Sequence, residues 1–172
     1  MSDAPALLPN RLVTGYETFL GGRFEDERQR FRTLAEEGQT PKIMIVGCCD
    51  SRVSPEVIFD ARPGELFVVR NVANLVPPCE VDDHYHGTSA ALEFAVQALG
   101  VRHIVVLGHG RCGGVRAFVD GDSRPLSPGN FIGKWSQLLA PAALTLGPRG
   151  DDSADDYAER LALASVGQSL QN

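Results

Sequence analysis

Short apolar runs set among helix-period stretches give the chain its pattern. Ile43-Met44-Ile45-Val46, Leu66-Phe67-Val68-Val69 and Ile104-Val105-Val106-Leu107 are too short for typical helices and rich in β-branched residues. They read as buried strands. Elsewhere apolar residues recur at helical spacing. Leu12, Val13, Tyr16, Phe19 and Leu20 predict a helix stopped by Gly21-Gly22. A second helix covers Asp26 to Glu37, with Phe24, Phe31, Leu34 and Ala35 facing inward and Gly38 ending it. Its many Arg and Glu residues suit a solvated face with i,i+4 pairs. Ser54-Pro55-Glu56 starts a short helix, with a Ser cap and Pro at the first helical position. Thr88 caps another that runs to Leu99, with Leu92, Ala95, Val96 and Leu99 as its inward stripe and Gly100 closing it.

Further along, Gly113-Gly114 opens a helix from Val115 to Asp120, and Gly121 to Gly129 is turn-rich. Asn130 to Leu139 reads as helical with Trp135 and Leu138 buried, and Pro141 interrupts or kinks it. A last helix starts in the acidic stretch Asp151 to Asp156 and runs to the end. Asn71 to His86 is irregular and long enough to be a functional loop. The fold class is therefore α/β, with a mainly parallel central sheet covered on both faces by helices. In such sheets, sites gather beyond the carboxyl ends of the strands.

Composition narrows the function. The length of 172 residues, 43% hydrophobic and 22% charged, suits one domain with a sizeable core. A net charge of −6 and the lack of a Lys/Arg cluster argue against a nucleic-acid partner. No stretch approaches the roughly 18–20 apolar residues of a membrane span, so no membrane partner is expected. Met1-Ser2-Asp3-Ala4-Pro5 carries no basic region and does not read as a signal peptide. The four cysteines, two of them adjacent, do not resemble a disulfide framework, and the expected setting is reduced and cytoplasmic.

The chemistry lies at two strand ends. Gly47-Cys48-Cys49-Asp50-Ser51-Arg52 follows the first strand, and Gly108-His109-Gly110-Arg111-Cys112-Gly113-Gly114 follows the third. Cys48, Asp50 and Arg52 alternate, so an extended chain would send them from one face. Two thiolates and an imidazole, from Cys48, Cys112 and His109, suit zinc, and three ligands leave a fourth position open, as in a catalytic site. Asp50 could fill that position or stand beside it. A bidentate pair with Arg52 would hold it off the metal, and positive neighbours would keep it ionised. Gly113-Gly114 at a helix start could present N–H groups to an anion. Taken singly, a strand-end cysteine or a His-x-x-Cys is more often packing than ligand; the combination outweighs that reading. Cys49 reads as packing, Cys79 has no evident partner, and His84, Tyr85 and His86 read as surface residues with a proton relay as the sharper alternative.

Cys48-Cys49-Asp50-Ser51-Arg52-Val53 and Gly108 to Gly114 resemble the two signatures of the β-class carbonic anhydrases. Pro63-Gly64-Glu65 and Arg70-Asn71-Val72-Ala73-Asn74-Leu75-Val76 match family patterns between them, and Val68 to Pro78 is closer to the plant-like branch. The resemblance covers Gln39 to Ala142 and, more weakly, the flanking helices. It implies a zinc enzyme interconverting carbon dioxide and bicarbonate, with one Zn2+ per chain on Cys48, His109 and Cys112. Asp50 and Arg52 match the catalytic dyad, and Asp50 can also close the site as a fourth ligand. Gln39, Phe67, Val72, Phe94 and Gly113 are implied to line the substrate pocket. The family builds that pocket at a subunit interface, so a homodimer or higher homo-oligomer is implied.

Phe94 falls where many members have Tyr. Ile45 falls where the bicarbonate-inhibited subgroup has Trp, so that inhibitory anion site is not expected although Arg70 is retained. Family chains continue beyond a segment like Ser165 to Leu170 into a further strand and helix, so a chain ending at Asn172 is expected to be truncated. The whole of 1–172 is thus expected to be one domain: a helical arm over 1–38, a zinc-site core over 39–142 and a C-terminal helix over 143–172. Two alternatives stand beside the hydration reading: a related zinc hydrolase of carbonyl sulfide or carbon disulfide, and an inactive zinc-binding homologue.

Overall fold

The computed structural model describes residues 8–121 and 124–172. The start of the N-terminal arm, and two positions within the turn-rich 121–129 stretch, lie outside the described residues. The chain divides into two compact units, one up to Gln39 and one from Thr40 to Asn172.

The first unit is a pair of helices, α1 (Asn10–Gly21) and α2 (Arg23–Glu37), joined at Gly22. Phe19 of α1 meets Phe24 and Phe31 of α2 with ring centroids 5.7 and 5.8 Å apart, and the last two rings stand 5.4 Å from each other. Ala35 is exposed rather than inward, and neither helix has a fully buried residue. The expected charge pairs form: Arg23–Glu27 and Arg32–Glu36 are both 3.2 Å apart at i,i+4. Gly38 ends α2 at φ 82°, a conformation that favours glycine.

In the second unit, strands β1 (Ile43–Cys48), β2 (Leu66–Asn71) and β3 (His103–Leu107) form a parallel sheet in the order β2-β1-β3. The register sets Ile43 beside both Leu66 and His103, and Gly47 beside Arg70 and Leu107. Both strand ends that carry the motifs are thereby neighbours at the carboxyl end of the sheet. Short α3 (Pro55–Ile58) connects β1 to β2. Its Ser54 precedes Pro55 as expected, but the hydroxyl donates to Glu56 (3.1 Å) rather than capping the backbone.

α4 (Gly87–Glu93) continues as a π-helical turn over Phe94–Ala98. Within that wider turn Ala95 is buried, while Val96, expected inward, is exposed. The helix also starts before Thr88, whose buried hydroxyl instead accepts a hydrogen bond from Asn71 Nδ2 at 3.2 Å. Beyond β3 come α5 (Gly113–Asp120), α6 (Phe131–Ser136), α7 (Ala140–Leu146) and α8 (Ala154–Gln171). Pro141 sits at the start of α7, where its missing N–H costs nothing. Ser153 caps α8 by accepting the Asp156 N–H at 3.1 Å.

Two apolar clusters flank the sheet. Met44, Val46, Val76 and Ala95 form one, with Phe67, Val69 and Leu92 against it. The other gathers Cys48, Cys112, Val115, Leu139, Tyr157 and Leu161. Trp135, expected to be core, is only half-buried and donates its Nε1–H to the Val72 carbonyl at 2.8 Å.

One expectation fails for the sheet. β3 was read as a buried strand in a sheet covered on both faces, yet His103, Ile104 and Val105 are exposed. Among the described residues β3 pairs only with β1, so it is an edge. A continuous apolar run marks a strand without fixing how deep it lies.

Candidate metal centre

β1 carries the chain into the site and stops at Cys48, which is buried. The chain does not stay extended beyond it. A 3-10 turn over Ser51–Val53 follows, and Asp50 caps it by accepting the Arg52 N–H on Oδ1 at 2.9 Å. Asp50 and Arg52 therefore meet by a turn, not by strand alternation. The Arg52 guanidinium grips the carboxylate with two bonds, Nε to Oδ1 at 2.9 Å and Nη2 to Oδ2 at 2.8 Å. These hydrogen bonds hold the Asp50 carboxyl well below the usual carboxylate range.

β3 delivers the second half. His109 follows it directly, and Cys112 sits at the start of α5, buried like Cys48. One donor atom each from Cys48, His109 and Cys112 lie within 4.8 Å of one another, and the two Sγ atoms are 4.0 Å apart. That is far too long for a disulfide. Two thiolates on one tetrahedral zinc at about 2.3 Å each stand roughly 3.8 Å apart.

The histidine agrees with this. Its Nδ1–H has the Gly110 carbonyl 3.0 Å away to donate to, which leaves the lone pair on Nε2. Nε2 is buried with no hydrogen-bond partner. An unpartnered buried nitrogen beside two buried thiols has the chemistry of a metal ligand set, and the soft sulfur–imidazole combination fits zinc. Burial pushes the Cys112 thiol up, the neighbouring Cys48 adds to this, and the N–H groups of Val115 and Gly114 at the start of α5 pull against it.

Of the pocket residues implied by the resemblance, Val72 and Gly113 line one cleft of about 640 Å3 between α5 and α6. Phe67 and Phe94 form a separate ring pair with centroids 5.9 Å apart. Gln39 is exposed and belongs to the first unit. Cys49, read as packing, is exposed, because the turn after Cys48 faces it outward; Cys79 is exposed as well. His84 and Tyr85 are exposed, and His86 Nε2 lies 2.7 Å from Asp82 Oδ1.

Two residues support the site in ways the sequence did not show. Arg70 on β2 donates to the carbonyls of Cys48 (2.8 Å) and Asp50 (2.7 Å), fixing the backbone that carries both. Its register position opposite Gly47, one residue before the first ligand, was the available signal. Glu159 on α8 accepts the Arg111 N–H at 2.6 Å, and nothing in its acidic helix start marked it.

A carbonic anhydrase family model matches residues 43–172. Beta carbonic anhydrase 3 of Arabidopsis thaliana is 38% identical over 134 residues, 77% of this chain and 51% of that protein. The chain thus spans about half the length of this curated relative. Among solved structures, the β-carbonic anhydrase CafA of Aspergillus fumigatus superposes with a TM-score of 0.80 at 29% identity, over 94% of this chain and 73% of that one. A structure from a study of two tetrameric β-carbonic anhydrases of Sordaria macrospora gives a TM-score of 0.75 at 28% identity, over 95% and 81%.

Proposed function

The chain belongs to the β-class carbonic anhydrase family, and from that premise we propose that it catalyses the zinc-dependent, reversible hydration of carbon dioxide to bicarbonate and a proton. The observation that carries this reading is the convergence of Cys48, His109 and Cys112 beside a doubly hydrogen-bonded Asp50–Arg52 pair. A purely structural zinc site has no use for such a pair.

Cys48 and Cys112 would hold zinc through Sγ and His109 through Nε2, one ion per chain. When bound, zinc supplies the Lewis acidity that makes hydroxide available from water near neutral pH. Arg52 uses two donors on Asp50, which keeps that carboxylate ionised and turned toward its partner. Held so, Asp50 is an acceptor: it takes a hydrogen bond from the attacking oxygen and aims the lone pair at the carbon of the substrate. The same grip opposes its swing onto the metal as a fourth ligand. Gathered at a subunit contact, the apolar side chains of Phe67, Val72 and Phe94 would suit a small uncharged substrate and limit competing water.

We place the complete pocket at a contact between subunits, in a homodimer or larger homo-oligomer. Val72 and Phe94 support this, being 36% and 50% exposed in the single chain. Among the described residues no helix is long and apolar enough to cross a membrane. The cytoplasm is the proposed compartment, because the cysteines are unpaired and a thiolate metal site needs reducing surroundings.

Stopped-flow hydration of carbon dioxide by the zinc-loaded chain tests the proposal, with carbonyl sulfide and carbon disulfide run in parallel. Preferred turnover of carbon dioxide is expected. Turnover of only the sulfur substrates, or of none, would overturn it.

A further inference from the structure

The segment between His109 and Cys112 is only two residues long, and it is held from both sides. Arg111 has φ 51°, a left-handed conformation unusual for a side chain of its size. Its N–H donates to Glu159 Oε1 at 2.6 Å, and its carbonyl accepts from Arg52 Nη2 at 3.0 Å. The peptide units on either side of Arg111 are thus pinned, one by α8 and one by the guanidinium that grips Asp50.

The packing lets α8 come this close. A Cβ on Gly108 would stand 2.7 Å from Val166 Cγ2, and one on Gly110 would stand 3.1 Å from Glu159 Oε2. Glu159 and Val166 are seven residues apart, two turns on one helical face, and that face lies along the His109 loop. An ion pair between Arg116 of α5 and Asp155 ties the start of α8 to the helix that carries Cys112.

We propose that Glu159 is a positioning residue for the metal centre: its carboxylate holds the Gly110–Arg111 peptide so that His109 Nε2 and Cys112 Sγ converge, and through the Arg111 carbonyl it sets where Arg52 presents Asp50. The inference rests on the zinc reading above. Glu159 touches neither ligand nor substrate; it acts through the backbone between them.

The test uses the full chain stripped of metal, with zinc affinity read by competition against a chromophoric chelator and ligand geometry read by the absorption of the cobalt(II)-substituted protein. Glu159→Ala should weaken zinc binding by about tenfold or more, the usual size of an outer-shell loss, and alter the cobalt spectrum. Glu159→Gln keeps an oxygen that accepts the Arg111 N–H, and should stay within roughly threefold of the parent with its spectrum preserved. The conservative variant guards against a simple folding defect, and circular dichroism of both checks it. Parent-like affinity and spectrum in Glu159→Ala would overturn the proposal. Equal losses in both variants would also overturn it, since charge and not the hydrogen bond would then be responsible. A parent chain that takes up no cobalt would overturn the metal reading itself, and this inference with it.

Discussion

β1 and β3 look alike as sequence and behave differently as structure. Each is a run of aliphatic residues ending in glycine and a metal-capable side chain. β1 is the middle strand, with Met44 and Val46 at 0% exposure and Ile45 at 2%. β3 is an edge, with Ile104 at 42% and Val105 at 38%. The difference shows in how each presents its half of the site. The Cys48 end is anchored by the sheet itself: Arg70 of the neighbouring strand binds the Cys48 and Asp50 carbonyls. The His109 end leans on a helix from far along the chain, through Glu159 and Val166. Chemistry divided between two strand ends can thus stand on unequal supports.

The largest expected effect ignores that inequality. Cys48→Ala and Cys112→Ala each remove one of three ligands. Both should weaken zinc binding by well over about a hundredfold, more than any outer-shell change. Metal content after dialysis against a chelator reads this out. A much larger loss in one variant than in the other would break the symmetry of the site. Next comes Asp50→Asn, which keeps the shape but gives Arg52 a neutral partner. Carbon dioxide hydration should fall by at least about a hundredfold with zinc still bound, the size of a lost orienting contact. Full activity in that variant would remove Asp50 from its role.

Smaller effects separate the two strands. Met44→Ala hollows a fully buried position and should cost about 2–5 kcal/mol of stability, seen as a lower urea midpoint. Ile104→Ala at the exposed edge should cost about 1 kcal/mol, because much of that side chain is already in water. Equal costs would mean that β3 is covered in solution.

The site residues were legible because each half is local: a strand, a glycine, then thiol, carboxylate and guanidinium within five positions, and later a strand, a glycine and His-x-x-Cys. The parallel sheet was legible for a similar reason, from strands alternating with helices. The burial of β3 was not, since it depends on strand order, which no single segment carries. The π-helical turn at Phe94–Ala98 was hidden by ordinary helix-forming residues, and within it Val96 is exposed rather than inward. Glu159 was hidden by its company. Beside Asp155 and Asp156 it reads as solvated helix, and its partner is a backbone N–H in a loop 48 residues earlier. Arg70 was noticed for another reason, while its hold on the Cys48 backbone needed the β1–β2 register.

One zinc on Cys48, His109 and Cys112 is proposed to make this chain a carbon dioxide hydratase. The most direct test is a titration: strip the chain of metal, add zinc stepwise, and follow hydration by stopped flow. The rate should climb in proportion to zinc and level off at one equivalent per chain. Zinc bound at one equivalent with the rate still at the uncatalysed background would contradict it.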